Sequence, residues 1–170
     1  NHMILVTVGT LPFTRLVKKM DEIAAQTEEK VIMQIASDTY KPKNAEHFCH
    51  RSYFEMQELC SRARIVVCHG GVGSILTAFE EGVTVIAVPR SKKNGEAVDD
   101  HQREIVELLA EVGKIIAVDD VDALPEALQT GSCHSTTPEL DDRLGGFLKR
   151  YIAIHAFAQK GDRPVETQIL

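Results

Sequence analysis

Apolar residues along this chain gather into short continuous runs, with longer stretches of helical period between them. The runs are "ILVTVG" (4–9), "KVIMQIA" (30–36), "RIVVCH" (64–69), "VTVIAVP" (83–89) and "KIIAV" (114–118). They are rich in valine and isoleucine, whose branched side chains suit a pleated backbone better than a helix. Between them, segments 13–26, 55–62, 73–81, 100–112 and 121–129 place apolar residues three and four apart, the period of a helix with one buried face. A weaker run, "EHFCH" (46–50), has only Phe48 and Cys49 as apolar members and is a sixth candidate strand.

Strands that are apolar throughout, rather than at every second residue, are covered on both faces, and strand-helix alternation builds right-handed crossovers. The expected fold is therefore α/β: a Rossmann-like parallel sheet of about six strands with helices on both faces, spanning residues 3–131. Past Gly131 the pattern changes. "SCHSTTPEL" reads as a polar linker that ends in a helix start, with Thr137 as the cap and Pro138 at the first helical position. A C-terminal helix over 138–158 would align Leu140, Leu144, Phe147, Leu148, Tyr151 and Ile152 in one stripe, which either packs back on the sheet or docks a partner. The last residues, "QKGDRPVETQIL", read as a polar tail, so 132–170 is linker, helix and tail.

Composition narrows the class. With 170 residues, 44% of them hydrophobic, the chain can bury the core of one globular domain. Asn1 and His2 read as a cloning remnant ahead of a native start at Met3. No stretch approaches the roughly 20 apolar residues that span a bilayer, and no leader pattern is present, so a cytoplasmic protein is expected. A net charge of -6 argues against a nucleic-acid partner, which calls for a basic face. Cys49, Cys60, Cys68 and Cys133 share no paired spacing and read as reduced thiols. His47, Cys49 and His50 lack the second ligand pair that a zinc site would need, so no metal is expected.

The candidate chemistry lies at the ends of the strands. "CHGGVGSIL" places Gly70, Gly71 and Gly73 where a strand turns into a helix. In a parallel sheet ligands bind at such carboxyl ends, and bare backbone at a helix start lets N–H groups approach an anion that the helix dipole also favours. A phosphate or diphosphate is the expected guest, with Ser74 and His69 as further donors. The segment fits neither the dinucleotide fingerprint nor the P-loop pattern. Gly9 and Thr10 end the first strand and would face the same crevice. Arg90, with Lys92 and Lys93 nearby, and then Glu96, Asp100, His101 and Gln102 form a second cluster. It combines a cation with groups that bind hydroxyls, as recognition of a sugar phosphate or sugar acid would require.

Together "VTVGTLPF", "VVCHGGVGSIL", "EEGVTVIAVPR" and "DDHQREIVELL" resemble the C-terminal, donor-binding half of inverting GT-B glycosyltransferases of family 28, the group of MurG. The resemblance covers residues 3–131. Because a whole GT-B enzyme has two such domains, the chain is similar to the small catalytic subunit of the split enzymes. "VPR" through "GEAVDDHQ" looks most like the exopolysaccharide type.

The resemblance implies a UDP-sugar as donor, with no cofactor and no metal. A membrane-associated partner would supply the acceptor-binding half and a lipid-linked saccharide would be the acceptor, so the subunit would sit at the membrane only through that partner. Gly9, Thr10, His69, Gly70, Gly71, Gly73 and Ser74 would contact the diphosphate. Tyr53 and Met56, in "SYFEM", would hold uracil, although Phe54 and Met56 also fit the core face of the following helix. Thr77 stands where the group carries a ribose-binding glutamate. Arg90, Glu96, Asp100, His101 and Gln102 would face the donor sugar, with Arg90 suited to pair with a glucuronate carboxylate. The general base would come from the partner half. Two alternatives stand beside this reading: an N-acetylglucosamine transferase subunit of the lipid-linked N-glycan type, and a nucleotide-sugar binding module without transfer activity.

Overall fold

A computed structural model of the chain describes residues 3–97, 101–111, 113 and 115–131. The expected C-terminal helix, with its linker and tail, lies outside the described residues, as do Asp100 and Cys133.

The elements alternate as the apolar runs predict. Strand β1 (Met3–Thr7) leads to helix α1 (Thr14–Ala24) and β2 (Lys30–Gln34), and then directly to the short β3 (Glu46–Phe48). Helix α2 (Tyr53–Arg62), β4 (Ile65–Cys68), α3 (Val72–Glu80) and β5 (Thr84–Ala87) follow. The described part closes with α4 (His101–Glu111), the two-residue β6 (Ile116–Ala117), a 3-10 turn (Val121–Ala123) and α5 (Leu124–Thr130). Strands stop one or two residues short of the ends of their apolar runs, because the last residue or two of each run continue into the loops at the carboxyl edge.

The six strands form one sheet in the order β3-β2-β1-β4-β5-β6. Every pairing is parallel, with Thr7 opposite both Gln34 and Cys68. Right-handed crossovers that step one way from β1 and the other way from β4 place their helices on opposite faces. Ile4, Val6 and Val8 of the first strand and its loop join Leu16, Val17 and Met20 of α1 and Leu124 and Leu128 of α5 in one buried cluster. The alternate residues Leu5, Val66 and Val85 are equally buried. They belong to the face on which α2 meets β1 and α3 meets β4 and β5. Both faces are thus covered, which is why the strand sequences do not alternate.

The point where the strand order reverses, between β1 and β4, is where the two connecting loops part company. Such a switch point leaves a crevice outside the carboxyl ends of the strands.

Candidate functional site

A cleft of about 310 Å³ opens at that switch point. Thr7 and Gly9 from the end of β1 and Gln34 from the end of β2 line it, as do Met56 and Cys60 of α2. One wall is the start of α3, with Gly73, Ser74 and Thr77. His50 and Arg51, from the β3–α2 connection, and Tyr53 complete it. Arg51 carries the one formal charge among these described lining residues, so the cleft suits an anion.

The glycine turn is built around a histidine. His69 is buried, and its Nδ1 lies 3.4 Å from the carbonyl oxygen of Thr7. Its ring lies against two glycines. A Cβ on Gly9 would stand 2.8 Å from its Cε1, and a Cβ on Gly71 would overlap its Nε2. Gly70, at φ +83, faces away, and a Cβ there would come within 2.9 Å of Val106 in α4. Gly73 differs from the others: nothing lies within 4 Å of where its Cβ would be. Bareness at Gly9, Gly70 and Gly71 is therefore a packing requirement, and only at Gly73 is it left facing open cleft. Burial, and then the nearby Arg90 charge, push the His69 imidazole down to about 4, so it is neutral at physiological pH.

Gly71 stands at the N-cap of helix α3, which has no side-chain cap. The N–H groups of its first turn, at Val72, Gly73 and Ser74, have no carbonyl within the helix to bond, and they carry the positive end of the dipole. Ser74 and Gly73 bring this end to the cleft. Thr77, one turn on, donates its hydroxyl to the carbonyl of Gly73 at 3.0 Å, which leaves the oxygen able to accept.

Arg90 corrects the sequence-based expectation. It is buried, 4% exposed. Its guanidinium donates to the carbonyl oxygens of Pro12 (2.6 Å), Val8 (2.8 Å) and Leu11 (2.6 Å), and stacks over Phe13. An arginine engaged in this way shapes the loop after β1 and presents no free charge to a sugar carboxylate. Glu96 likewise turns inward: it accepts from Arg15 at 2.8 and 3.0 Å and from the backbone of Ser91. Burial by itself would raise its carboxyl, but the Arg15 and Ser91 hydrogen bonds outweigh this and hold it below the usual range. Neither residue lines the cleft, and Thr10 is exposed on the loop beside it.

In the first turn of α4, Gln102 keeps its Oε1 buried without a hydrogen-bond partner among the described residues. A buried orphan acceptor costs stability unless something donates to it. His101 opens the same helix, and its side chain lies outside what is described.

Sequence reasoning missed Gln34, His50 and Arg51. Gln34 is a buried hub. Its Oε1 accepts from Thr7 Oγ1, Val8 N and Gly9 N at 3.0 to 3.1 Å, and its Nε2 donates to the carbonyls of Gly9 and Cys49 at 2.8 Å. A polar residue closing an apolar strand was the available signal. His50 and Arg51 gave none, because their part depends on where the β3–α2 connection runs.

An open parallel sheet with an anion-ready helix start at its switch point defines a Rossmann-like nucleotide-binding domain. Residues 3–142 match the model of the glycosyltransferase family 28 C-terminal domain, and the chain belongs to that family. A search of curated proteins finds no match. Among solved structures, the glycosyltransferase of kitacinnamycin is similar over 91% of this chain and 40% of its own, at 22% identity and a TM-score of 0.62. MurG of Acinetobacter baumannii is similar over 75% of this chain and 40% of its own, at 21% identity and TM-score 0.56. ALG13 is similar over 85% of this chain and 94% of its own, at 15% identity and TM-score 0.55. The chain thus spans about two fifths of the kitacinnamycin and MurG structures and nearly all of ALG13. Among the described residues, no helix is long and apolar enough to cross a membrane.

Proposed function

We propose that this chain is the donor-binding, catalytic component of an inverting glycosyltransferase. It holds a UDP-sugar and delivers the hexosyl or hexuronosyl group to a lipid-linked saccharide in polysaccharide biosynthesis. A membrane-associated partner supplies the acceptor-binding half of the cleft. The observation that carries this reading is the uncapped start of α3, open at Gly73, facing a cleft whose lining has no carboxylate among the described residues. A diphosphate matches it: N–H groups and helix dipole meet the anion without rearranging.

The reaction is a single displacement. The acceptor hydroxyl oxygen attacks the anomeric carbon on the face opposite the nucleotide. The bond from that carbon to the diphosphate oxygen breaks, its electron pair stays on the oxygen, and the α3 amides stabilise the charge that develops there. The hydroxyl proton passes to a base on the partner's side, and the sugar is inverted. In this reading Asp100, with His101 and Gln102 at the start of α4, serves the donor sugar. Since Arg90 is engaged by backbone carbonyls, the preference for a glucuronate donor loses the residue that motivated it. The choice between the exopolysaccharide type and the N-acetylglucosamine alternative then rests on donor titration. The similarity to nearly the whole of ALG13 supports a domain of this size standing as its own chain.

Calorimetric titration of the chain with UDP, UDP-glucose, UDP-glucuronate, UDP-N-acetylglucosamine and NAD tests this, with Gly73→Ala alongside. Wild type is expected to select UDP and its sugars. Gly73→Ala should keep or raise thermal stability, since alanine is favoured over glycine within helices by up to about 1 kcal/mol. It should nevertheless lose UDP affinity by about ten-fold or more, the size of one disrupted charge-assisted contact. Selection of NAD, or undiminished UDP binding by the variant, sinks the reading.

A further inference from the structure

Arg90 crosses the carboxyl edge of the sheet to reach its partners. It follows β5, and the carbonyls that it holds, those of Val8, Leu11 and Pro12, belong to the loop after β1. Strand β4 lies between β1 and β5, so the guanidinium spans the end of β4, where the glycine turn begins. Phe13 supports its flat face, with the ring centroid 4.7 Å from the guanidinium carbon. Among the described residues no carboxylate bonds to it, because Glu96 is taken by Arg15 and by the backbone of Ser91.

The loop so held borders the cleft. Gly9 lines it, and Val8 and Leu11 stand on either side of the Gly9–Thr10 pair. A carbonyl oxygen is the negative end of a peptide dipole, so any that turned outward here would repel a diphosphate at the switch point. The carbonyls of Val8, Leu11 and Pro12 accept from Arg90 and that of Gly9 accepts from Gln34, both donors being buried. Four negative dipole ends are thereby drawn into the protein. Three of them are shared between the two terminal nitrogens of one guanidinium, Nη1 for Pro12 and Nη2 for Val8 and Leu11. That division needs a planar fork of donors, which the compact ammonium of lysine does not offer.

We infer that Arg90 is a positioning residue of the donor site, which keeps the carbonyls of the loop after β1 turned away from the cleft and so leaves that wall open to a diphosphate. The inference rests on the nucleoside-diphosphate reading above. Arg90 touches no donor atom in it and acts only through the loop.

Calorimetric titration with inorganic pyrophosphate and with UDP tests this on wild type, Arg90→Lys and Arg90→Met, with Leu128→Ala as a folding control. Leu128 is buried in α5, and its carbonyl accepts from Arg64 just ahead of β4, at the opposite edge of the sheet. All three variants should lower the thermal midpoint, so binding is measured at a temperature where circular dichroism shows each of them folded. Arg90→Lys keeps the charge and loses the fork. It should bind pyrophosphate and UDP more weakly by the same factor, about five-fold or more, the size of an unfavourable dipole set beside an anion. Arg90→Met should lose at least as much, and Leu128→Ala should bind both ligands within about two-fold of wild type. Wild-type pyrophosphate affinity in folded Arg90→Lys overturns the positioning role, since charge alone then suffices. So does a loss that Leu128→Ala matches, or a loss for UDP without one for pyrophosphate. If Arg90→Met does not fold, the lysine variant decides by itself. A wild-type chain that binds neither ligand overturns the nucleoside-diphosphate reading as well, whereas one that binds both beside an unimpaired Arg90→Lys overturns the positioning role alone.

Discussion

The imidazole of His69 occupies the space left by Gly9 and Gly71, so the turn that presents α3 is held apart by a buried neutral ring. Its proton affinity has a consequence for stability. The folded-state value near 4 lies below the 6.5 of a free histidine, so the unfolded chain takes up the proton first. Stability from this group is complete above about pH 6.5 and is lost as pH falls toward 4, by on the order of 3 kcal/mol in all. Urea midpoints measured at pH 7 and pH 5 should fall on acidification in wild type and fall less in His69→Asn. Equal slopes would show that His69 is not buried as neutral imidazole. Asp21 and Glu96, both held below the usual carboxylate range, contribute at more acidic pH. The candidate turn was legible in the sequence because its residue types announce it. What each glycine is for was not, since that depends on which side chain lies against it. The same is true of Arg90: its charge was visible, but the three carbonyls that claim it sit at positions 8, 11 and 12.

At the scale of elements, the strand ends matter more than the strands. Gln34 joins the last residue of β2 to the loop after β1 and to the β3–α2 connection, so one carboxamide sets three of the cleft's boundaries. Gln34→Met keeps the volume but leaves the buried amides of Val8 and Gly9 without their acceptor. At about 1–3 kcal/mol for each unsatisfied group, a loss on the order of 3 kcal/mol is expected. It should appear as a lower urea midpoint together with weaker UDP binding; an unchanged midpoint would mean that these amides have other partners. Strands and helices were legible because burial on both sheet faces leaves apolar runs, and helices keep their period. The β3 strand was the least legible. It sits at the sheet edge, pairs only with β2, and carries just three residues, of which Phe48 alone is apolar. Helix α5 begins three residues later than its periodicity suggests, because a 3-10 turn capped by Asp120 precedes it.

At the scale of the whole molecule, the proposed function divides the reaction between this domain and a partner. A displacement at an anomeric carbon needs a hydroxyl and a base on the face opposite the diphosphate, and the proposed function assigns both to the partner. Purified chain with UDP-sugar and lipid-linked acceptor should therefore form no product until the acceptor-binding partner is added. Full transfer by the chain alone would contradict this, and binding without transfer even with the partner would favour the non-catalytic module. Sequence by itself determined the fold class, the order of elements and the position of the glycine turn at the carboxyl edge of the sheet. Those follow from local periodicity, and from the rule that a parallel sheet exposes its carboxyl edge. Tertiary structure decided which polar residues reach the cleft. It turned Arg90 and Glu96 inward, set Gln34 at the hub and laid Arg51 on Phe48, because those roles arise from contacts between segments far apart in the chain, which no local pattern records.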